Sequence, residues 1–241
     1  MGLYYTMEVC VKRDHQLEKA IQRTIKLCLE DINHLGFDTD MITARIQHFM
    51  QSDEINEKQL LSFLRRDHAH ILETLFLGLL YQLGLYVQCN PLIARNFYHL
   101  AALKGNPFGE YLYGKYLRDN AELVNAAYWL AKAMEKGNTA ATYELGLLNS
   151  NGVGVEKNPR NAFVLYRKAG QQGNIKAQFH LAQSFFENCG TIKISMNPFV
   201  PIWLHITEAI VVQEPLYGQF SNFIASIKAW KLLHIKIILL L

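Results

Sequence analysis

The sequence has few cysteines, a small excess of positive charge and no long uninterrupted hydrophobic run. Its four cysteines, Cys10, Cys28, Cys89 and Cys189, lie far apart and form no C-x-x-C pair, which favours reduced thiols over a disulfide framework. Lysine plus arginine outnumber aspartate plus glutamate by only three, 24 against 21. Because no global charge attracts a polyanion, we expect no nucleic-acid partner.

The hydrophobic segments are too short or too interrupted to predict a membrane span. Charged residues break the first 14 residues before any apolar run long enough for a signal peptide, and no N-x-S/T site occurs. Lys228, Lys231 and Lys236 interrupt the apolar stretch before the run 237–241, whereas a spanning helix needs about 20 apolar residues. We therefore expect a cytoplasmic protein.

Half of the residues are apolar, which is enough for a sizeable core, and hydrophobic periodicity predicts helices near the start of the chain. Leu17, Ile21 and Ile25 begin a stripe that predicts a helix over residues 16–34. Two more stripes begin at Met41 and Leu60. Residues 1–70 are thus predicted to form a helical N-terminal extension.

From residue 71 a short fragment recurs in the sequence. Leu77-Gly78, Tyr113-Gly114, Leu145-Gly146 and Leu181-Ala182 are 36, 32 and 36 residues apart. Three further sets keep the same phase, namely Ala94, Ala126 and Ala162, then Ala101, Ala133 and Ala169, then Gly105, Gly137 and Gly173. Periods of this length are typical of stacked helical hairpins, so we predict an all-α solenoid in which each unit has a helix A and a helix B.

Glycine and asparagine predict local features of each unit. Gly78, Gly114 and Gly146 lie in the middle of helix A, where glycine costs about 1 kcal/mol relative to alanine. A close neighbour would explain that cost, and we expect it to be the alanines of helix B. Asparagine followed by proline, at residues 90–91 and 158–159, predicts the start of helix B, and the glycine that follows helix B predicts its end.

The pattern weakens towards the C-terminus. A fourth unit keeps the helix A phase at Ala177 and Leu181, but Thr191 to Val200 is an irregular connection and only Ala209 suggests a helix B. We predict repeats over 71–212 and a tail, 213–241, that caps the solenoid, since solenoid ends need a polar cover.

These residues resemble the Sel-one-like repeat family, a branch of the tetratricopeptide superfamily whose unit contains A-x-x-x-L-G and G-x-G-V, then A-x-x-x-Y/W-x-x-x-A-A-x-x-G. The third unit matches best, with Ala141, Leu145-Gly146, the segment 152–155, Ala162 and Tyr166. The resemblance covers residues 71 to about 190 and implies an adaptor without catalytic activity. Fungal signalling members with a similar helical lead-in carry a kinase domain, but no H-R-D-L or D-F-G motif is present.

In the superfamily, helix A lines the concave face, and the resemblance transfers that role to one stripe on each helix A of this chain. The predicted partner-binding residues are Tyr111, Lys115, Arg118, Tyr143, Ser150, Phe179 and Gln183. An aromatic residue begins each stripe, which suits the anchoring of a partner segment. The alternative is that these rings only pack between neighbouring hairpins.

No pattern in the sequence predicts catalysis, a metal or a cofactor. Gly152-Val153-Gly154 lacks the third glycine and the strand of a dinucleotide loop, His68 and His70 have no further ligands at a suitable spacing, and Ser195 has no partner for a nucleophile. We predict a protein-interaction scaffold in intracellular signalling. The alternative is a peripheral membrane scaffold that uses the amphipathic tail 213–241 and a myristoylated Gly2.

Overall fold

The computed structural model describes residues 2–53, 55–65 and 70–188, with the side chains of residues 15–53, 55–65, 70–181 and 184. Residues 1–181 form one compact unit. The described residues contain helices and no strand, which confirms the predicted all-α class. The helices are α1 (Gly2–Leu35), α2 (Thr39–Ser52), α3 (Glu57–Leu64), α4 (Ile71–Leu83), α5 (Pro91–Leu103), α6 (Pro107–Asp119), α7 (Leu123–Glu135), α8 (Thr139–Asn151), α9 (Pro159–Gln171) and α10 (Ile175–Asn188).

Three helical hairpins follow one another along the chain. In each hairpin helix A packs on the following helix B, so that α4 pairs with α5, α6 with α7, and α8 with α9. The hairpins then stack in sequence, because α5 packs on α6 and α7 packs on α8. This arrangement is the predicted α-solenoid, and α10 takes the place of a fourth helix A.

Asparagine and proline start two of the B helices as predicted. The side chain of Asn90 accepts a hydrogen bond of 3.2 Å from the backbone N–H of Ile93, and Pro91 is the first residue of α5. Asn158 accepts one of 3.0 Å from Asn161, before Pro159. In the second unit Glu122 precedes α7 and makes no side-chain cap. The first helical turn is thus stabilised by side-chain caps in the first and third units.

The Gly-Asn pair between units has two roles, of which only the first, the end of helix B at the glycine, was predicted from the sequence. Gly105, Gly137 and Gly173 end the B helices with φ of +76°, +84° and +90°, the left-handed conformation that glycine favours. The asparagine after each glycine then caps the next helix A, as when Asn138 accepts a 2.8 Å hydrogen bond from the N–H of Ala141. Each pair therefore ends one helix and begins the next.

The glycines inside helix A do face a close neighbour, but the expectation that it would be alanine was wrong. A Cβ atom added to Gly146 would lie 2.5 Å from Cε1 of Tyr166, and one added to Gly78 would lie 2.8 Å from Cε1 of Tyr98. At Gly114 the nearest side chain is Leu130. These large residues follow the phased alanines by one helical turn, so the missing Cβ makes room for a ring or a leucine.

At the contact between the first two units, an alanine of helix B is the close neighbour of a glycine. A Cβ added to Gly109, in the first turn of α6, would lie 2.7 Å from Cβ of Ala101 and 2.8 Å from the Ala101 carbonyl carbon. Small residues on both helices let the backbones of α5 and α6 approach closely. This contact sets the spacing between the first and second hairpins.

The N-terminal helices pack on the repeats. Helix α1 starts at Gly2, so the predicted range of 16–34 was too short at its beginning. It contacts α2, α4 and α8, and α3 contacts α4. Leu75 and Leu79 of α4 are fully buried. The lead-in therefore belongs to the same compact unit as the hairpins.

Several predictions concern residues outside the described ones. They are the irregular connection 191–200, the helix around Ala209, the capping or membrane-bound tail 213–241, and His68 and Ser195. The boundary of the repeats at residue 212 also stays a prediction. No helix in the described part of the chain is long and apolar enough to cross a membrane.

Candidate partner-binding face

The predicted stripe on α6 combines a buried ring with two partly exposed cations. Tyr111 is fully buried, whereas Lys115 and Arg118, one and two turns later, are partly exposed. Burial raises the pKa of the Tyr111 hydroxyl, so the group is neutral at physiological pH. The hydroxyl lies near the backbone of Phe37 without hydrogen-bonding geometry, and within the described residues it has no hydrogen-bond partner.

The two cations of α6 are held by carboxylates. Lys115 Nζ is 2.8 Å from Asp119 Oδ2, and Arg118 Nη2 is 2.8 Å from Asp119 Oδ1. Arg118 also pairs through Nη1 with Glu144 of α8, whose side chain is nearly buried. Arg118 therefore links two successive A helices, because it bridges a carboxylate on each.

The pKa values on α6 reflect both burial and pairing. Burial lowers the pKa of Lys115, and the hydrogen bond to Asp119 opposes that change without cancelling it. Burial raises the pKa of Asp119, but hydrogen bonds from Lys115 and Arg118 outweigh it, so the net shift is downward. The pair is charged at neutral pH, and its lysine is incompletely solvated.

The stripe on α8 is mainly a packing surface. The Tyr143 ring centroid lies 6.0 Å from that of Tyr166 on α9 and 5.6 Å from that of His180 on α10. Burial raises the pKa of Tyr143 to about 12, with a further contribution from Tyr166. Ser150, one helical turn past Leu147, is partly exposed, and it opposes the rise that burial causes in the pKa of Tyr166. For Tyr143, packing between hairpins is thus the dominant contact.

The stripe on α10 is described in part. Phe179 is partly exposed and makes an edge contact with His180, with 5.6 Å between ring centroids. The side chain of Gln183 lies outside the described residues. Lys176, three residues before Phe179, lies on the same side of the helix. Lys176 was not among the predicted contact residues, although its spacing of three residues from Phe179 could have indicated it.

A segment of the N-terminal extension lies on this same side of the A helices. The ring of Phe37 lies under Lys115, with 5.2 Å from Nζ to the ring centroid. The Lys176 side chain passes within 3.1 Å of the position that a Cβ of Gly36 would occupy. We call this side of α6, α8 and α10 the A-helix face, and it is defined by Tyr111, Lys115, Arg118, Tyr143, Ser150, Lys176 and Phe179.

The A-helix face carries groups suited to binding a polypeptide. It presents cations, aromatic rings and a buried hydroxyl, and its carboxylates are engaged with Lys115 and Arg118. Across the described side chains no group of three histidine, cysteine, aspartate or glutamate residues is arranged to hold a metal ion. The chemistry available is ion pairing, cation–π contact and hydrogen bonding with a polypeptide segment.

Comparison with known proteins agrees with the geometry of the hairpins. Residues 75–106, 109–138 and 139–174 each match the Sel1 repeat. The chain contains Sel1 repeats. The three matches correspond to α4 with α5, α6 with α7, and α8 with α9. Each match ends at the asparagine that caps the next helix A.

Two solved structures of Sel1-type proteins are similar to this chain. The crystal structure of a Sel1 repeat protein from Oxalobacter formigenes is 25% identical, with a TM-score of 0.54, and the match covers 66% of this chain and 68% of that one. A protective antigen of uropathogenic Escherichia coli strains, which displays an SLR fold, is 19% identical with a TM-score of 0.48 over 73% of this chain and 44% of that one. Neither comparison supports the predicted likeness to fungal signalling members specifically, which stays a prediction.

Proteins built from Sel1 repeats generally act as protein-interaction scaffolds. The repeat explains why the same structural residues recur in each hairpin, since Gly78, Gly114 and Gly146 face helix B in all three Sel1 repeats.

Proposed function

We propose that this chain is a non-catalytic scaffold of intracellular signalling in the cytoplasm, and that its Sel1 repeats bind a protein partner through the A-helix face. The observation that supports this function most directly is that Lys115, Arg118, Ser150 and Phe179 are all partly exposed on three successive A helices. A partner segment that runs from α6 to α10 would contact the cations Lys115 and Arg118 first and the ring of Phe179 last. Such a surface suits an extended peptide or a partner helix.

The burial of Tyr111 and Tyr143 refines the proposal. These two rings are packed beneath the exposed side chains. The direct contacts with a partner would come from Lys115, Arg118, Ser150 and Phe179. Gln183 stays a predicted contact on the same stripe. Substitution of a buried tyrosine would disturb the packing, so the test of partner binding is better made with the charged residues.

The test is affinity purification from the source cells with the full chain as bait, followed by mass spectrometry. The face variant carries Arg118→Gln with Glu144→Gln, which removes a paired cation and anion together and leaves neither charge buried alone. The matched control carries Lys168→Gln with Glu156→Gln, both exposed and away from the A helices. Both variants keep the net charge of the wild type.

We expect a defined protein to be captured by the wild type and by the control but not by the face variant. Capture of the same partners by all three baits would contradict binding through this face. Circular dichroism of each bait before capture checks that the helices are intact.

A further inference from the structure

The turn between α1 and α2 lies on the A-helix face and contacts its cations. Phe37 lies under Lys115, and Lys176 covers Gly36, whose φ of +80° requires a left-handed conformation. Asp38 raises the pKa of Lys176 through its charge, against the larger lowering by burial. One short segment of the chain, residues 36–38, therefore occupies a position where a partner segment would bind.

The chemistry of this contact is specific. An ammonium group 5.2 Å from a ring centroid is within the range of a cation–π interaction. The next residue in the turn, Asp38, carries a carboxylate. The turn thus presents to the face an aromatic residue followed by an acidic one.

The turn leaves part of the face unsatisfied. Lys115 and Arg118 pair with Asp119 and Glu144, but Lys176 has no carboxylate within ion-pair distance in the described part of the chain. The carboxylate of Asp38 is used elsewhere, since it caps α2 by accepting a 3.0 Å hydrogen bond from the N–H of Met41. Lys176 is consequently a partly buried cation that lacks a counter-ion at close range.

A second unsatisfied group lies below the turn. The hydroxyl of Tyr111 is fully buried near the backbone of Phe37 and donates to no described acceptor. A buried hydroxyl without a partner costs free energy that a better placed backbone carbonyl or carboxylate would recover. The turn fits the shape of the face but leaves both Lys176 and Tyr111 without a full partner.

From these contacts we propose that the A-helix face is a receptor for a short protein segment in which an aromatic residue precedes a carboxylate, and that residues 36–38 are an internal ligand which such a segment displaces. The proposal rests on the proposed function, for which it specifies the chemistry of the partner. The partner's carboxylate pairs with Lys176, and its ring takes the place of Phe37 beside Lys115.

Displacement of the turn does not require α1 to leave the repeats. Asn33, three residues before Gly36, accepts hydrogen bonds of 2.9 and 3.4 Å from the N–H groups of Thr139 and Ala140. Its backbone carbonyl accepts two more, from the Thr139 hydroxyl and from Asn174. This anchor holds the end of α1, so the exchange is confined to the residues that follow it.

The test measures binding of a peptide by the full chain with fluorescence anisotropy. The probe is a fluorescein-labelled peptide with the sequence of residues 35–40, and the control probe has alanine and asparagine at the positions of Phe37 and Asp38. The receptors are the wild type, Phe37→Ala and Asp38→Asn, each also combined with Lys176→Gln. Asparagine caps a helix as well as aspartate does, so Asp38→Asn keeps the start of α2 if Phe37→Ala proves unstable.

We expect the probe to bind Phe37→Ala about tenfold more tightly than the wild type, because the change removes the ring of the internal competitor, and to gain less from Asp38→Asn, since that carboxylate acts on Lys176 only at longer range. Lys176→Gln should remove this gain, the control probe should not bind, and only the probe should raise the melting temperature of Phe37→Ala. Equal affinity of the probe for the wild type and Phe37→Ala, or unchanged binding after Lys176→Gln, would overturn the proposal. If partner capture is still lost with the Arg118 and Glu144 variant, the proposed function stands and only the ligand chemistry is wrong.

Discussion

The side chain of Asn33 accepts a 2.9 Å hydrogen bond from the backbone N–H of Thr139, a residue 106 positions later in the chain. The contact joins the end of α1 to the first turn of α8, where unpaired N–H groups need acceptors. The Thr139 hydroxyl returns a hydrogen bond of 2.6 Å to the carbonyl of Asn33. A single residue of the lead-in thus fixes α1 to the third Sel1 repeat.

Replacement of Asn33 by alanine should destabilise the protein by about 1–3 kcal/mol, because it leaves partly buried N–H groups of α8 without an acceptor. Chemical denaturation followed by circular dichroism measures the change in the free energy of unfolding. The matched control is Asn96→Ala on α5, an exposed asparagine. Equal stability of the two variants would show that the contact to α8 contributes nothing.

Replacement of Gly146 by alanine should cost about 1–3 kcal/mol, since the new Cβ would lie 2.5 Å from the ring of Tyr166. Gly146→Leu should cost more, because a larger side chain would have to fit into the same space beside the ring. The control is Gly170→Ala, where the new Cβ would lie 3.3 Å from Cγ of Gln178 and no closer than 3.5 Å to its backbone. Thermal melts compare the three.

The cause of that destabilisation can be tested separately. When Tyr166→Leu is combined with Gly146→Ala, the loss should be smaller than the sum of the two single losses, since the ring that clashes is gone. Strictly additive losses would mean that Gly146 serves another purpose than making room for Tyr166.

Local features of the fold were predictable from sequence, because their causes lie within a few residues. Asn90 with Pro91 predicted the start of α5, and the glycine at residue 137 predicted the end of α7. The role of alanine could not be assigned correctly in this way. Ala162 and Tyr166 lie one helical turn apart on the same side of α9, and only the packing of α9 on α8 shows which of them faces Gly146.

The candidate site was less predictable than the fold. A stripe on α6 identified Lys115 and Arg118, but no local pattern indicates that Glu144 pairs with Arg118 or that Phe37 lies under Lys115. These contacts join elements that are distant in sequence. They depend on how α1 and α8 pack, which periodicity does not specify.

Arg118→Ala alone should destabilise the protein more than Arg118→Ala combined with Glu144→Gln, which neutralises the partner as well. Arg118→Ala leaves the nearly buried carboxylate of Glu144 without its cation, which costs several kcal/mol in comparable sites. Arg118→Ala with Glu144→Gln should recover a large part of that loss. A double-mutant cycle from urea denaturation measures the coupling, and a coupling near zero would show that the pair does not link α6 to α8.

The buried thiol of Cys28 should make the protein less stable in alkali. Burial raises its pKa from 9.0 to about 12, with a smaller contribution from Asp31 that Arg45 opposes. Because the folded pKa is above the unfolded one, its contribution to stability is complete below pH 9 and is lost as the pH rises towards 12.

Over that window the free energy of unfolding of the wild type should fall more steeply than that of Cys28→Ala, by up to about 1.4 kcal/mol per pH unit. Urea denaturation at a series of pH values compares the two slopes, with Cys89→Ala, an exposed thiol, as the control that should follow the wild type. Parallel slopes for the wild type and Cys28→Ala would mean that Cys28 ionises as readily in the folded as in the unfolded protein.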